Sequence, residues 1–400
     1  MSLLRVTNYK VPAMALLLLN ILLFVGCEKK KSVPEKVLTL PRGAYDVIKM
    51  ANGATVEAHT ESTIGTNNAL ITTATADAYA LHLTLNITIP EPATTMEDLC
   101  AATPELPTAL PNLEGMLPQP LPDNSKQASP FYTTLFNNKV KALQHQLSHL
   151  GQLPSRDSLY DCQTILPLLN QQTGRRALLI QAIMNVNADG SDGDRNIPLE
   201  KLSVYYQPQT NYRWPKSSPH PNPNITDIEQ QSALWEKTKD EETATLEQKN
   251  KLQQQIATAQ TTLQELKHWS FLIGSADPFI VLPKFMLEKN GQNAAIGDYA
   301  VVLYQGTLYP AIVGDIGPSA KIGEASLRLC RAIDPKSGAD HRPLSSPHVS
   351  YFVFPGSAEL PFTAPNYPHW SERCHQLWSE LGGSSTMTWH EWISLEQPWP

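Results

Sequence analysis

In the stretch ALHLTLNITIP, the apolar residues Leu81, Leu83, Leu85, Ile87 and Ile89 alternate with polar neighbours, and a period of two predicts a half-buried strand. It closes a region rich in Thr, Ile, Val and Ala that reads as a small β unit over residues 43–92. The period then changes. In FYTTLFNNKVKALQHQLSHLGQLP the apolar positions Leu135, Val140, Leu143, Leu147 and Leu150 follow helical spacing and stop at Gly151. Beyond it, ALLIQAIMNVN reads as a buried strand that runs into ADGSDGDR, a loop dense with Asp and Gly. DPFIVLPKFML, YAVVLY, TLYPAIVG and SYFVFPG are further β-branched and aromatic runs, two of them joined as a hairpin at Gln305-Gly306. The second arm of that hairpin delivers the chain to Asp315.

Between the strands lies residues 226–269, full of Gln, Glu, Lys and Thr, with Leu252, Ile256, Ala259, Leu263 and Leu266 spaced 4-3-4-3. Two heptads are too few for a free-standing coiled coil, so this is expected to be a helical insertion in a monomer rather than an oligomerisation rod. Residues 90–130 are proline-rich with recurring leucines and are expected to wrap the domain in ordered form. Near the end, Trp370, Cys374, Leu377, Trp378 and Leu381 describe a helix that stops at Gly382-Gly383, which places two tryptophans in a core. Trp389, Trp392 and Trp399 are left open between core and sugar platform. The fold class expected is α+β, predominantly β: a barrel-like or curled β core with peripheral helices and a helical insertion.

At the N-terminus, Arg5 and Lys10 precede the apolar run VPAMALLLLNILLFVG, too short for a comfortable membrane span, which leads into Gly26-Cys27. This reads as an export signal over residues 1–27. LFVGC resembles the bacterial lipobox, which implies lipidation of Cys27 and an extracytoplasmic protein anchored to the bacterial membrane, with residues 28–42 as a tether. Cys100, Cys162, Cys330 and Cys374 remain, an even number that permits one or two disulfides without revealing the pairing, although Cys374 is expected to pack instead. No CxxC or zinc-ligand spacing occurs, and no metal or other cofactor is expected. A net charge of −7 argues against nucleic acid and would attract a cationic polymer.

The chemistry concentrates in GDIGPSAKIGEAS, residues 314–326, where Asp315 and Glu324 stand among small residues with Lys321 between them. Gly317-Pro318 rules out a helix, so the chain is expected to leave a strand, loop, and re-enter at Ile322-Gly323-Glu324, returning both carboxylates to one cleft. Glycosidic hydrolysis needs such a pair: one carboxylic acid protonates the leaving oxygen while an ionised carboxylate activates water or attacks the sugar. Ile322, Ala325 and Leu327 suggest desolvation of Glu324, making it the acid. Loop amides around Asp315 suggest the base. No GxSxG, P-loop, HExxH or dinucleotide fingerprint is present. Asn185, Asn187, Asp189 and Gly190 imitate part of a calcium loop, without its first Asp and its bidentate Glu.

The phrase GDIGPSAKIGEAS resembles the signature of the chitosanases of glycoside hydrolase family 75. PFIVLP, GDYAVVLYQGTLYPAIVGDIG, NADGSDGDR and YFVFPGS also resemble that family's elements, over roughly residues 160–356 with 226–269 inserted. The resemblance implies inverting endo-hydrolysis of β-1,4-linked glucosamine in chitosan or a related amino-sugar polysaccharide, with Asp315 and Glu324 as the catalytic pair. It implies Asp189, Asp192 and Asp194 as carboxylates for the substrate's ammonium groups, with Asp298 and Tyr212 completing the candidate contacts. It departs from the family pattern at Asn185 and Asn187, where aspartate is expected. The catalytic domain would span residues 93–360 and a C-terminal helix with a Trp-rich tail residues 361–400. The alternative is a cell-envelope lipoprotein that binds glycans or partners without cleaving them.

Overall fold

The computed structural model describes residues 91–117, 129–149 and 160–399 apart from 203–204, 242–244 and 288–292, together with the backbone of three strands nearer the N-terminus. Cys27, the apolar run before it and the tether lie outside the described residues. Among those described, no helix is long and apolar enough to cross a membrane. The chain divides into two compact units, residues 1–90 with 139–160, and residues 91–138 with 161–400. In the first, β1 (Leu3–Val6) and β2 (Thr55–Ile64) flank β3 (Tyr79–Thr88) in an antiparallel sheet. The alternating run of leucines therefore forms the central strand.

The second unit is built on a closed barrel. Its strands are β5 (Arg176–Asn187), β8 (Phe279–Pro283), β9 (Tyr299–Tyr304), β10 (Thr307–Gly317), β11 (Glu324–Ser326) and β12 (Leu344–Val353). They follow one another in the order β11-β8-β10-β9-β12-β5, and β5 pairs back onto β11. β4 (Cys162–Leu169) occupies the first half of one edge of β5, as far as Ala182, and β11 takes that edge over from Asn185. Closure thus depends on a three-residue strand. Strand pairing places Ala182, Ile280, Ala300, Ala311, Val313 and Ala325 on one face, all fully buried. The four alanines on that face leave room for the larger Ile280 and Val313 as the six strands curl around their own core.

The opposite face carries Gln181, Phe352, Tyr299, Ile312 and Val281. Short helices cover part of it. Gln181 Nε2 donates to the Leu99 carbonyl of α1 (Met96–Ala102) at 2.8 Å, and Thr103 Oγ1 shares a hydrogen bond with Ser350 at 2.9 Å. α2 (Leu106–Ala109) and α3 (Leu113–Met116) follow, so residues 91–117 of the proline-rich stretch are ordered as expected. α4 spans Pro130–His149. In α8 (Tyr367–Leu381), which follows α7 (Leu327–Ile333), Trp370, Cys374, Leu377, Trp378 and Leu381 are buried. Trp378 packs edge-on to Phe352, and the helix ends at Gly382, as the sequence predicts. Gln305 and Gly306 both take positive φ in the β9–β10 hairpin, the geometry its two-residue loop requires. Cys100, Cys162, Cys330 and Cys374 are all free thiols; no disulfide joins them.

The insertion consists of two helices where one was expected, because Thr245 and Gln248 form a capping box that starts a second helix. α5 (Ile225–Lys239) and α6 (Leu246–His268) lie antiparallel, and Glu229 meets Lys267 at 3.2 Å where the excursion begins and ends. The pair grows from a small ribbon of β6 (Arg213–Pro215) and β7 (Trp269–Phe271). Only Ser232, Ile256, Ala259 and Leu266 are buried along both helices. Since Glu229 and Lys267 touch, a short Gly/Ser linker can replace residues 230–265. Calorimetry of that variant should show one cooperative transition displaced by no more than a few degrees; loss of cooperative unfolding would make the helices part of the core.

Candidate active site

β8 lies between β10 and β11, and Val281 is the register partner of Asp315 on one side and of Glu324 on the other. Residues paired across neighbouring strands point to the same face, so both carboxylates rise beside Val281. A β-bulge makes this possible. Val313 pairs with Ile280 and Asp315 with Val281, leaving Gly314 as the extra residue. Without it, Asp315 would share the face of Val313 and point into the barrel core. The two Cα atoms stand two strand spacings apart, roughly 9.5 Å. Glu324 leans across that gap: its Oε2 lies 3.2 Å from where a Cβ on Gly317 would be.

Glu324 is held by the return of the chain. Ile322 N–H donates to Asp161 Oδ2 at 3.0 Å, and Asn185 N–H to the Gly323 carbonyl at 2.7 Å. Gly323 has φ +85° and sits so close to β5 that a Cβ would lie 2.3 Å from the Ile183 carbonyl oxygen. Only glycine fits there.

The two carboxyls differ in burial, and not in the sense that their neighbours in sequence suggest. Asp315 is 8 % exposed while Glu324 is half-buried. Loss of water pushes the Asp315 carboxyl up to about 7, and the charges of Asp189 and Glu324 add to this; the N–H groups of Ile316 and Asn211 pull the other way. The expected loop amides are present, with Asn211 N–H 2.9 Å from Asp315 Oδ1, but burial outweighs them.

The Asp-rich loop divides by role. Asp189, whose charge acts on Asp315, accepts from Gln207 N–H (2.7 Å) and Asn187 Nδ2 (3.2 Å); burial raises its carboxyl as well. Asp192 turns inward to Arg195 Nε at 2.5 Å, and that guanidinium is also gripped by Asp277 at 2.8 and 2.9 Å. Asp194 is tied by Ser217, Ser218 and Lys216, whose hydrogen bonds overcome burial and hold it far below the usual range. Asp298 is fully buried and accepts from Ala295 and Ala358 N–H, organising the turn before β9. Asp192, Asp194 and Asp298 are therefore each committed to internal donors, where the sequence resemblance expects them to meet substrate. Asn185 supplies backbone pairing to Glu324 and Asn187 orients Asp189.

Tyr212 donates to the Thr363 carbonyl at 3.1 Å and stacks on Phe362. It lines a cavity of about 200 Å³ with Tyr299, Glu359, His369 and Trp370, a lining that includes neither Asp315 nor Glu324. Of the late tryptophans, Trp392 is buried and donates to the Pro310 carbonyl, Trp389 stacks on His375, and Trp399 stacks on His220. Sequence reading missed Asn211 and Asp161. Neither belongs to a motif or a periodic run; each reaches its partner only through the folded chain.

A buried carboxyl that keeps its proton near neutrality, facing a second carboxyl across one strand, is the equipment of a glycoside hydrolase. Residues 184–381 match the family described as "Fungal chitosanase of glycosyl hydrolase group 75", which supports assigning that segment to the family. It is accordingly an enzyme of the chitosan-hydrolysing class. No curated protein matches it.

The geometry makes Gly317 sensitive. A methyl group there would meet Val281 Cγ1 at 2.9 Å and Glu324 Oε2 at 3.2 Å. Gly317→Ala should displace the Glu324 carboxyl and lower kcat by about tenfold or more, the scale of a misplaced catalytic group, with little change in thermal unfolding. Wild-type turnover in that variant would show that Glu324 does not act from this position.

Proposed function

We propose that the chain cleaves β-1,4-glucosaminidic bonds of chitosan with inversion, Asp315 giving the proton to the leaving oxygen and Glu324 activating water. The observation that carries this reading is the shared register at Val281, which sets two carboxyls of unequal burial on one face. Separation by a whole intervening strand suits an inverting pair, whose carboxyls stand roughly 6.5–9.5 Å apart to admit a water. Asp315, buried, retains its proton; Glu324, nearer solvent, is placed to take one from water. Asp189 receives its hydrogen bonds from amides, which leaves its negative charge available to a glucosaminium. The substrate's own charge thus favours its entry.

Asp315→Asn and Glu324→Gln should each reduce turnover of chitosan oligomers by about 10²–10⁴-fold. They should then diverge. A substrate whose leaving group needs no proton should restore turnover to Asp315→Asn and not to Glu324→Gln; the opposite result would exchange the roles. Because Asp315 must be protonated, kcat/KM should fall as pH rises through about 7, the value for the free protein. The first product should be the α anomer. Folding moves with a definite sign: ionising Asp315 costs the native state more than the unfolded chain, so above pH 7 Asp315→Asn should unfold no earlier than wild type.

We propose also that the protein is exported and lipid-anchored at Cys27, on the support of LFVGC after a basic and apolar leader. Palmitate labelling should be lost in Cys27→Ala; equal labelling would end the proposal.

A further inference from the structure

Three consecutive residues of β10, starting with the bulge residue Gly314, are held by two residues of the segment that precedes β6. Tyr212 N–H donates to the Gly314 carbonyl at 2.9 Å, Asn211 N–H donates to Asp315 Oδ1 at 2.9 Å, and Ile316 N–H donates to Asn211 Oδ1 at 3.2 Å. A bulge interrupts the regular ladder and leaves backbone groups in need of partners. Residues 211 and 212 satisfy them. Asn suits the position because it offers a side-chain acceptor to one neighbour while its own N–H serves the other. The residue itself is exposed, so packing does not explain it.

We propose that Asn211 is a positioning residue for Asp315, fixing the bulge and deciding which carboxyl oxygen carries the catalytic proton. An N–H aimed at Oδ1 occupies that oxygen as an acceptor, so the neutral acid keeps its proton on Oδ2. The Oδ1 of Asn211, by gripping Ile316, stops the bulge from relaxing into a regular strand, which would turn Asp315 toward the core. The charged groups that act on Asp315 from the elements around it are Asp189 at the end of β5 and Glu324 on β11. Asn211 adds a third influence from the far edge of β10, neutral and directional. This inference rests on Asp315 being the proton donor proposed above.

The test uses the full chain with Asn211→Ala and Asn211→Asp. Asn211→Ala removes the acceptor for Ile316 and should lower kcat by about tenfold, with KM within about twofold and thermal unfolding unchanged, as for a misoriented group on an intact scaffold. Asn211→Asp keeps the acceptor and places a charge beside Asp315. It should recover most of the turnover at low pH and move the basic limb of the pH profile upward, since a like charge favours the protonated carboxyl. Carboxyl carbon NMR of Asp315 should show its titration midpoint rise in Asn211→Asp, a readout that needs no substrate. Wild-type kcat in Asn211→Ala, or an unmoved midpoint in Asn211→Asp, would overturn the proposal. Equal loss of turnover in both variants with a lowered unfolding temperature would make Asn211 merely structural. Should the wild-type protein fail to cleave chitosan, the functional reading falls, and the NMR midpoint still decides the clamp.

Discussion

The extra residue in β10 governs the chemistry of this protein, because strand geometry allows a side chain only two directions and the bulge at Gly314 chooses between them. With the residue inserted, Asp315 joins Val281 and Glu324 on the outer face of the barrel. A regular β10 would bury the same carboxyl among Val313, Ile280 and Ala325, where no partner could receive it. The loop at residues 211–212, the close approach of Gly317 and the turn at Gly323 all serve the arrangement that follows from that one choice. Each is intelligible only once the register is known.

The Asp-rich loop next to the site shows a different use of the same side chain. Asp192 and Asp277 enclose Arg195, and Tyr367 of α8 adds a hydrogen bond to Asp277 at 2.6 Å. The buried guanidinium thereby links the loop after β5, the turn after β7 and the C-terminal helix. An ion cluster of this kind contributes little net stability against well-packed apolar residues, but it is costly to break and so holds three segments in one arrangement. Asp189, at the head of the same loop, is left to act on Asp315 through its charge. Dense acidic sequence therefore yields one carboxylate for the site and several for the frame.

That division marks how far the amino-acid sequence could be read. The strands β5, β8, β9, β10 and β12, the helix α8 and the return at Glu324 are legible, since period, turn residues and caps act over a few neighbours. The family resemblance of GDIGPSAKIGEAS likewise points to Asp315 and Glu324 before any fold is known. What stays hidden depends on partners far along the chain. Asp192 looks like a ligand for a cation until Arg195 is seen to be clamped between it and Asp277. Burial raises the Asp315 carboxyl, an effect that local glycines disguise. Asn211 has no motif, because its role exists only against β10. The break between α5 and α6 was readable in principle from Thr245 and Gln248, a short-range signal masked by the continuous polar composition around it.

Closure of the barrel through β11 has a consequence for how the protein assembles. The helical pair and the β9–β10 hairpin join near neighbours in the chain and can form early, at small entropic cost. The pairing of Glu324 with Asn185 joins segments separated by most of the domain, including the whole insertion. Contacts of such separation form late and slowly. Asp315 and Glu324 share their β8 partner within residues 279–326, whereas β5 meets β11 and β12 only across the insertion, so the two carboxyls can be brought to one face before the barrel closes. Closure then anchors β11 against Asn185, so a slow long-range step fixes the position of a carboxyl that a fast local step has already delivered.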